Sequence, residues 1–414
     1  MPLARANEFH TALSVASLLQ PSIQQFIREH ERDDPYQLTL QAHRYPDYPI
    51  PAIAEQIQAR RKAKDKLPEW YATEGVLYPP LLSMEQCSSQ WAAQFKQGLV
   101  HGQQLVDLTG GAGVDTYYLS QSFHQTHYVE QQASLAELAK HNFSVLGAGP
   151  IQIHTTTAER FLTAQHAPVD CLYLDPARRD GHARKVFQLE DCSPNVVELR
   201  DLLLTKARTV LIKTAPLLDI EATVTTLGAV THVYVVAVNG EVKEVLYVLS
   251  GESPAEPLIT AVNLAKHAEQ RFSFYRSQES QAEVAYSNPL RYLYEPHAAL
   301  MKAGAFKLTA QRLGLYKLHP NTHLYTTEHR VPDFPGRAFE CQAVIPYQKK
   351  AVRKHLPHLK ANITTRNFPD SVASIRKKLG LKDGGEIYLF AAQLSDNNLA
   401  IIITKALSAD TAAP

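Results

Sequence analysis

The chain reads as an α/β protein whose central sheet is parallel, with a helical region before it and small α+β units after it. Three observations carry this. Between residues 102 and 250, short β-branched runs alternate with helical periods, the pattern of strands joined by crossover helices. Asn239-Gly240 separates two long apolar runs, and a type I′ turn needs φ > 0 at both its central residues, so the sheet is expected to end in an antiparallel hairpin. Residues 1–98 keep helical spacing almost throughout. The expected units are a helical N-terminal domain (1–98), a sheet domain (99–250), linker helices with a small segment (251–336) and a compact α+β end (337–410).

Element by element, apolar residues Leu18, Leu19, Ile23, Phe26 and Ile27 fall at helical spacing, and Pro21 suits a first helical turn. A helix over Pro51–Lys66 ends in the basic run Arg60, Arg61, Lys62, Lys64, Lys66, read as a solvated face that complements the macrodipole. Ser83 with Gln86 predicts a capping box opening a helix through Phe95. Strands are expected at Gln104–Asp107, His127–Glu130, Ile151–His154, Val169–Asp175 and Thr209–Lys213, with Val230–Val238 and Glu241–Leu249 as the hairpin. Helices fit between them at Val114–Ser120, Gln132–Leu146, Thr157–Ala164, Asn195–Leu203 and Asp219–Leu227. Further on, Ala261–Tyr275 reads as a helix and Leu290–Leu318 as one or two more. The end reads as strand Phe339–Ile345, helix Lys349–His358, strand Asn362–Thr365, helix Ser371–Leu379, and strands Glu386–Gln393 and Ala400–Thr404.

With 42 Lys+Arg against 41 Asp+Glu, the net charge is +1, which excludes uniform capture of an anionic partner. By segment it is −5 over 101–250 and +6 over 337–414. Four scattered cysteines give no disulfide framework, and no CxxC pair marks a metal site. No basic segment precedes a continuous apolar stretch, and no apolar run nears a membrane span. A cytoplasmic protein without a membrane partner is therefore expected.

The chemistry-bearing segment is Leu105-Val-Asp107-Leu-Thr109-Gly110-Gly111-Ala-Gly113-Val-Asp115, a strand entering three glycines and a helix. Glycines allow close backbone approach, and the helix start offers unsatisfied N–H groups at the switch point of such a sheet. Asp107 at the strand end would repel a pyrophosphate and welcome an ammonium, which favours S-adenosylmethionine over a nicotinamide dinucleotide. Glu130, ending the second strand, suits ribose hydroxyls. Ala158 follows the third strand, where an adenine amine is often met; the neighbouring Thr157 stands where an acid is common. Asp107, Thr109, Gly110, Gly111, Gly113, Asp115, Glu130 and Ala158 are the expected cofactor set. The fourth strand runs into Asp175-Pro176-Ala177-Arg178-Arg179. Carboxylate and neighbouring carbonyl there can accept hydrogen bonds from an exocyclic amine, which is catalysis by positioning. Asp175 and Pro176 are the expected catalytic pair; Arg178, Arg179 and Lys213 the expected substrate contacts, with Tyr78 a candidate stacking residue. From Lys349 to Lys382 there are ten basic residues and one acid. Lys349, Lys350, Arg353, Lys354, Arg366, Arg376, Lys377 and Lys378 are the expected RNA contacts.

These residues resemble the class I S-adenosylmethionine-dependent methyltransferases: the glycine loop, Glu130, the Asp-Pro after the fourth strand and the terminal hairpin. Three further stretches resemble a bacterial family of such enzymes with a C-terminal THUMP-like domain. They are Glu74-Gly75 through Tyr78-Pro79-Pro80 to Ser88-Ser89, Asp175 to Arg179, and Lys213-Thr-Ala-Pro216 to Asp219. Ala361-Asn362 to Phe368-Pro369, with Arg376-Lys377-Lys378 and Asp383-Gly384-Gly385, resembles the THUMP-like part, and residues 295–336 the family's small ferredoxin-like segment. The family is similar to RNA guanine-N2 methyltransferases. The resemblance implies methyl transfer to structured RNA, tRNA or rRNA. Ala177 and Arg178 stand where amine methyltransferases of nucleic acid commonly carry proline and an aromatic; an arginine plane can stack on a base in its place. Two other readings differ in class. A non-catalytic RNA-binding protein on the same fold would not need Asp107, Gly111 and Glu130 together. A dinucleotide oxidoreductase is disfavoured by Thr116 in place of a third glycine and by the hairpin. Cys192 as a covalent nucleophile has no motif to support it.

Overall fold

Between residues 102 and 250, β-branched runs and helical periods alternate as strands and crossover helices, as the sequence reading expects. In the computed structural model, residues 15–178, 188–252, 254–265, 268–356 and 358–407 are described. They form two units, one of the described residues within 15–231 and 246–254, the other of those within 232–245 and 255–407.

Among the described residues the first unit begins with seven α-helices, α1 (Val15–Leu18), α2 (Pro21–Glu29), α3 (Pro35–Leu40), α4 (Ile50–Lys66), α5 (Pro68–Ala72), α6 (Leu81–Gln86) and α7 (Gln90–Gln97). Prolines stand in the first turns of α2 to α5, where their missing N–H costs nothing. The capping box at Ser83 does not form. The expected single helix breaks at Cys87-Ser88-Ser89, because Ser89 accepts from Ala92 N and caps α7 instead. The basic run of α4 is not simply solvated: Lys66 Nζ donates to the carbonyls of Met84 at 2.9 Å and Glu85 at 2.8 Å, fastening α4 to α6.

Five parallel strands follow: β1 (Gly102–Asp107), β2 (Phe123–Glu130), β3 (Ile151–Thr155), β4 (Val169–Leu174) and, after the two-residue strands β5 (Ala177–Arg178) and β6 (Cys192–Ser193), β7 (Ala207–Thr214). Their order is β3-β2-β1-β4-β7, so the direction of winding reverses at β1. Helices α8 (Val114–Ser120), α9 (Ala133–Val145), α10 (Ala158–Ala164), α11 (Val196–Lys206) and α12 (Ile220–Leu227) are the crossovers. The last three are capped by Thr157, Asn195 and Asp219. The hairpin of β8 (Val230–Val238) and β9 (Glu241–Leu249) extends the order as β7-β9-β8. Its turn residues Asn239 and Gly240 have φ of 51° and 81°, as a type I′ turn requires. The N-terminal helices are not a separate layer. Trp70, Tyr78 and Met84 share one apolar core with Val114, Tyr118, Tyr128 and Phe143, over the face that carries the glycine loop.

In the second unit, β10 (Leu258–Ala265) pairs parallel with β8 and antiparallel with β11 (Ala268–Phe274). These strands replace the helix expected over Ala261–Tyr275. Most of β10 is buried, and a short, continuously buried apolar run carries no periodicity to separate strand from helix. A seven-stranded sheet comes next, of β12 (Tyr292–Pro296), β13 (Tyr316–His319), β14 (Thr322–Thr327), β15 (Gly336–Pro346), β16 (Asn362–Arg366), β17 (Ile387–Gln393) and β18 (Leu399–Ala406). Its order is β13-β14-β12-β15-β18-β17-β16. The helices here are α13 (Arg276–Gln281), α14 (Ala298–Ala303), α15 (Lys307–Leu313), α16 (Lys349–His355) and α17 (Val372–Leu379). The stretch Leu290–Leu318, expected as helix alone, thus contains two helices bracketed by two strands. Among the described residues no helix is long and apolar enough to cross a membrane.

Candidate functional site

Four neighbouring strand ends meet where the sheet reverses, and each delivers one charged side chain. Asp107 ends β1, Glu130 ends β2, Asp175 follows β4, and Lys213 lies one residue from the end of β7. Such a crevice is where open α/β sheets bind ligands. A cavity of about 240 Å³ opens there, lined by Asp107 to Ala112, Glu130, Thr157, Ala158, Asp175, Ser193 and Pro194. Helix α6 and the turn after it close one side with Ser83, Gln86, Cys87 and Ser88.

The glycine loop is held from both flanks by carboxylates. Asp107 Oδ1 accepts from Thr109 N at 2.9 Å, and its Oδ2 accepts from Thr116 Oγ1 at 2.6 Å. Glu130 accepts from Gly111 N at 2.9 Å and from Gln132 N at 2.8 Å. Tyr128 Oη donates to Gly111 O at 2.7 Å. Gly110 lies flat on the Tyr128 ring, so a Cβ there would enter the ring. Gly113 has φ of 79°, and a Cβ would come within 2.9 Å of Phe143. Asp107 is 1% exposed, and burial pushes its carboxyl up to about 7, against the hydrogen bonds that favour its charge.

Asp175 is oriented through two contacts. Its N–H donates to Thr109 Oγ1 at 2.6 Å, tying it to the glycine loop, and its Oδ2 accepts from Lys213 Nζ. Among the described residues no group bonds Oδ1, and the side chain is 36% exposed. Lys213 in turn sits 3.7 Å from Asp115 Oδ2. That atom accepts from Ser88 Oγ at 2.8 Å and Tyr173 Oη at 2.7 Å, and Oδ1 pairs with Lys96 Nζ at 3.2 Å. Lys96, 0% exposed, also donates to Ser88 Oγ at 3.1 Å. Burial works to raise Asp115, but Lys96, Lys213 and the two hydroxyls outweigh it and hold the carboxyl below its usual range.

The structure brings together Asp107, Thr109, Gly110, Gly111, Gly113, Asp115, Glu130, Ala158, Asp175 and Lys213. Asp115, expected as a cofactor contact, lines the cavity, but its carboxylate is the centre of a charge network. Pro176, next to Asp175 in the chain, is buried. Tyr78 is not in the cleft. It is 2% exposed, its hydroxyl donates to Trp70 O at 3.3 Å, and it belongs to the core, which corrects its reading as a stacking residue. Thr157 caps α10 through Arg160 N. Arg179 lies outside the described residues, and of Arg178 only the backbone is described, pairing with Cys192. Sequence reasoning passed over Lys96, Ser88, Tyr173 and the Ser193-Pro194 wall. One signal was available: Lys96 falls three and four residues after Ala93 and Ala92, on the apolar face of its helix.

In the second unit, Lys349, Lys350, Arg353 and Lys354 of α16 and Lys377 of α17 are exposed, and no ion pair to another described residue restrains them. Three expected RNA contacts are instead engaged within the fold. Arg366 bonds Glu295, Arg376 pairs with Asp383, and Lys378 donates to Asp370 at 2.7 Å.

Known domains and solved structures resemble this chain over part or most of its length. A ferredoxin-like domain model matches residues 292–335, and a THUMP domain-like model matches residues 336–405. Among solved structures, a “putative methyltransferase” from Porphyromonas gingivalis W83 is 32% identical, with 94% of this chain and 98% of that one covered and a TM-score of 0.84. An rRNA methylase from Streptococcus thermophilus is 13% identical over 38% of this chain and 93% of its own, with a TM-score of 0.29. SMU.1697c, a “putative methyltransferase” from Streptococcus mutans in complex with SAH, is 12% identical over 38% and 95%, with a TM-score of 0.30. No curated protein matches. The fold and the likeness to the Porphyromonas protein thus define a class I S-adenosylmethionine-dependent methyltransferase. At this identity and coverage, the chain belongs to the family of the Porphyromonas protein, class I methyltransferases with a C-terminal THUMP-like domain.

Proposed function

We propose that the protein methylates structured RNA, a tRNA or an rRNA, at an exocyclic base amine such as guanine N2. The observation that carries this reading is Asp175 on the cavity wall: Oδ2 of its carboxylate accepts from Lys213, its backbone N–H is tied to Thr109 Oγ1, and no other described residue bonds Oδ1.

The donor set fits S-adenosylmethionine. Asp107 offers negative charge to its ammonium, Glu130 accepts from the ribose hydroxyls, and the loop Gly110–Gly113 lets backbone approach closely. The bound cofactor supplies an electrophilic methyl group. The chain's own residues do the rest by placement. Oδ1 of Asp175 accepts an N–H of the target amine, which turns the nitrogen lone pair toward the cofactor side of the cleft. The same oxygen is the nearest acceptor for the proton the amine must lose. Lys213 keeps Oδ2 out of that exchange. Support for RNA comes from the exposed cations of α16 and α17, a surface suited to phosphates. The THUMP-like match supports the same substrate.

The test is methyl transfer from labelled cofactor to total tRNA and rRNA, with nucleosides identified by mass spectrometry. Label in a base amine, lost in Asp175→Ala with S-adenosylhomocysteine affinity retained, is the expected result. Cofactor binding without transfer to either pool would overturn the reading and leave an RNA-binding protein on a methyltransferase fold.

A further inference from the structure

The motif Lys213-Thr-Ala-Pro216 to Asp219 gives the cleft Lys213, and the rest of it has no part in the function proposed above. Beyond β7 it forms a short loop in which Leu217 is 84% exposed, more than any other large apolar side chain among the described residues. We infer that Leu217 is an apolar wedge, which enters the base stack of the substrate where the target nucleotide leaves it for the cleft. The inference rests on structured RNA being that substrate.

A single exposed leucine is ordinary on a protein surface. Place and fixity set this one apart. Lys213 Nζ donates to Asp175 Oδ2, and β7 runs beside β4 with Ile212 next to Leu174. The chain after β7 therefore leaves the sheet at its carboxyl edge, beside the residue that positions the acceptor. Leu217 follows Lys213 by four residues, a reach of about 14 Å at full extension. It does not line the cavity. Its place is the rim, where the neighbours of a bound nucleotide lie, and not the pocket that takes the target base.

The loop is anchored around Leu217. Leu218 is buried, and its N–H donates to Ala215 O at 3.4 Å. Asp219 caps α12, accepting from Ala222 N at 2.8 Å, and Ile220 is buried behind it. The ring of Pro216 fixes one backbone torsion just before Leu217. An apolar side chain presented on an anchored turn loses little further freedom when a partner covers it.

The chemistry of the loop suits bases and not phosphates. Between Lys213 and Asp219 no residue is charged, and the tip Ala215-Pro216-Leu217 is apolar. A base in structured RNA is stacked, so its amine reaches Asp175 only after the base has left the stack. Proteins that unstack nucleic acid fill such gaps with apolar side chains, leucine among them. The cleft offers no aromatic surface for the purpose: among its described lining residues the one aromatic is Tyr173, which is 1% exposed and bonded to Asp115.

The experiment measures methyl transfer to total tRNA and rRNA by Leu217→Ala, Leu217→Lys, Leu217→Met and Leu217→Phe in the full chain. In Leu217→Ala and Leu217→Lys, kcat/KM for RNA is expected to fall at least tenfold. In Leu217→Met and Leu217→Phe it should stay within threefold of wild type, because an apolar wedge is kept. S-adenosylhomocysteine affinity by calorimetry should stay within twofold throughout. Leu40→Ala removes another exposed leucine, on α3, which adds nothing to the cavity lining, and should match wild type. A smaller fall in Leu217→Ala overturns the proposal, and a change of oligomeric state in that variant would then assign the residue to a protein contact. Full transfer by Leu217→Lys overturns it too, since the loop would then meet phosphates. So does a fall in Leu217→Met and Leu217→Phe as large as in Leu217→Ala, or a loss of cofactor affinity equal to the loss of transfer, since the loop would then only support the cleft. Wild type that transfers to neither pool overturns the proposed function and this inference with it; wild type that transfers regardless of Leu217 overturns this inference alone.

Discussion

Replacing Lys96 by methionine tests the charge network behind Asp175 without touching the cleft wall. Methionine keeps most of the lysine's length and removes only the ammonium. In wild type, Lys96 Nζ lies 3.2 Å from Asp115 Oδ1 with neither group well solvated. At an effective dielectric of about 20 that pair is worth roughly 5 kcal/mol of Coulomb energy, much of it offset by desolvation. Taking one partner away leaves a buried carboxylate, which costs about 3–5 kcal/mol in comparable cases. Lys213 at 3.7 Å and the hydroxyls of Ser88 and Tyr173 remain, so the lower end, about 3 kcal/mol, is the expected loss at pH 7.

The pH dependence has a definite sign. In wild type Asp115 is held below its usual range, so it stabilises the fold at neutral pH and that contribution fades as pH falls. In Lys96→Met burial dominates and the carboxyl rises, so the variant recovers stability as it protonates. The gap between the two proteins should narrow from pH 7 to pH 5. Urea unfolding at both pH values measures it, and Asp115→Asn in the Lys96→Met background should restore at least about 1 kcal/mol, a coupling in the usual range for residues in contact. A loss below about 1 kcal/mol, or one independent of pH and of Asp115, would refute the network as described.

Lys213→Met should lower kcat about tenfold or more while KM for the cofactor stays within about threefold, because it frees Asp175 rather than the glycine loop; steady-state methyl transfer separates the two. Cofactor affinity should rise as pH increases through about 7, where Asp107 ionises, and Asp107→Asn should flatten that slope in calorimetry. Gly110→Ala drives a methyl group into the Tyr128 ring and should weaken S-adenosylhomocysteine binding at least tenfold, with thermal unfolding as the check on the fold. Replacing Lys350, Arg353 and Lys354 together by glutamine should reduce the slope of log affinity for RNA against log salt by about 2–3, roughly 0.9 for each phosphate that is no longer neutralised.

The sheet was legible in the sequence because its strands are short apolar runs bounded by turn residues. The hairpin was legible because Asn-Gly is nearly obligatory where both turn residues have φ > 0. β10 was not, since burial on both faces erases the alternation that distinguishes a strand. Serine placement misled in one instance. Ser83 and Ser89 both have capping chemistry, and only Ser89 caps a helix, while its neighbour Ser88 bonds Asp115 and Lys96. Strand-end residues of the site could be read because a parallel sheet fixes where its carboxyl ends point. Tyr173 could not, and of Lys96 only its place on an apolar helix face could: they reach Asp115 from a different helix and a different strand, and a single chain shows no trace of that pairing.

The cleft's own charges argue for the kind of cofactor it takes. Asp115 and Asp175 are each neutralised by a lysine, Lys96 for the first and Lys213 for the second. Asp107 and Glu130 are not; among the described residues only N–H and O–H donors reach them. Neutral donors hold a carboxylate in place without cancelling its charge. The cofactor side of the cleft therefore stays negative while its acceptor side is balanced, and exposed Glu159 on the wall adds to the same sign. A nicotinamide dinucleotide would bring its pyrophosphate against that field. A ligand with an ammonium and a sulfonium is drawn in by it, and the protonation of Asp107 near pH 7 is the point at which that attraction can be switched and measured.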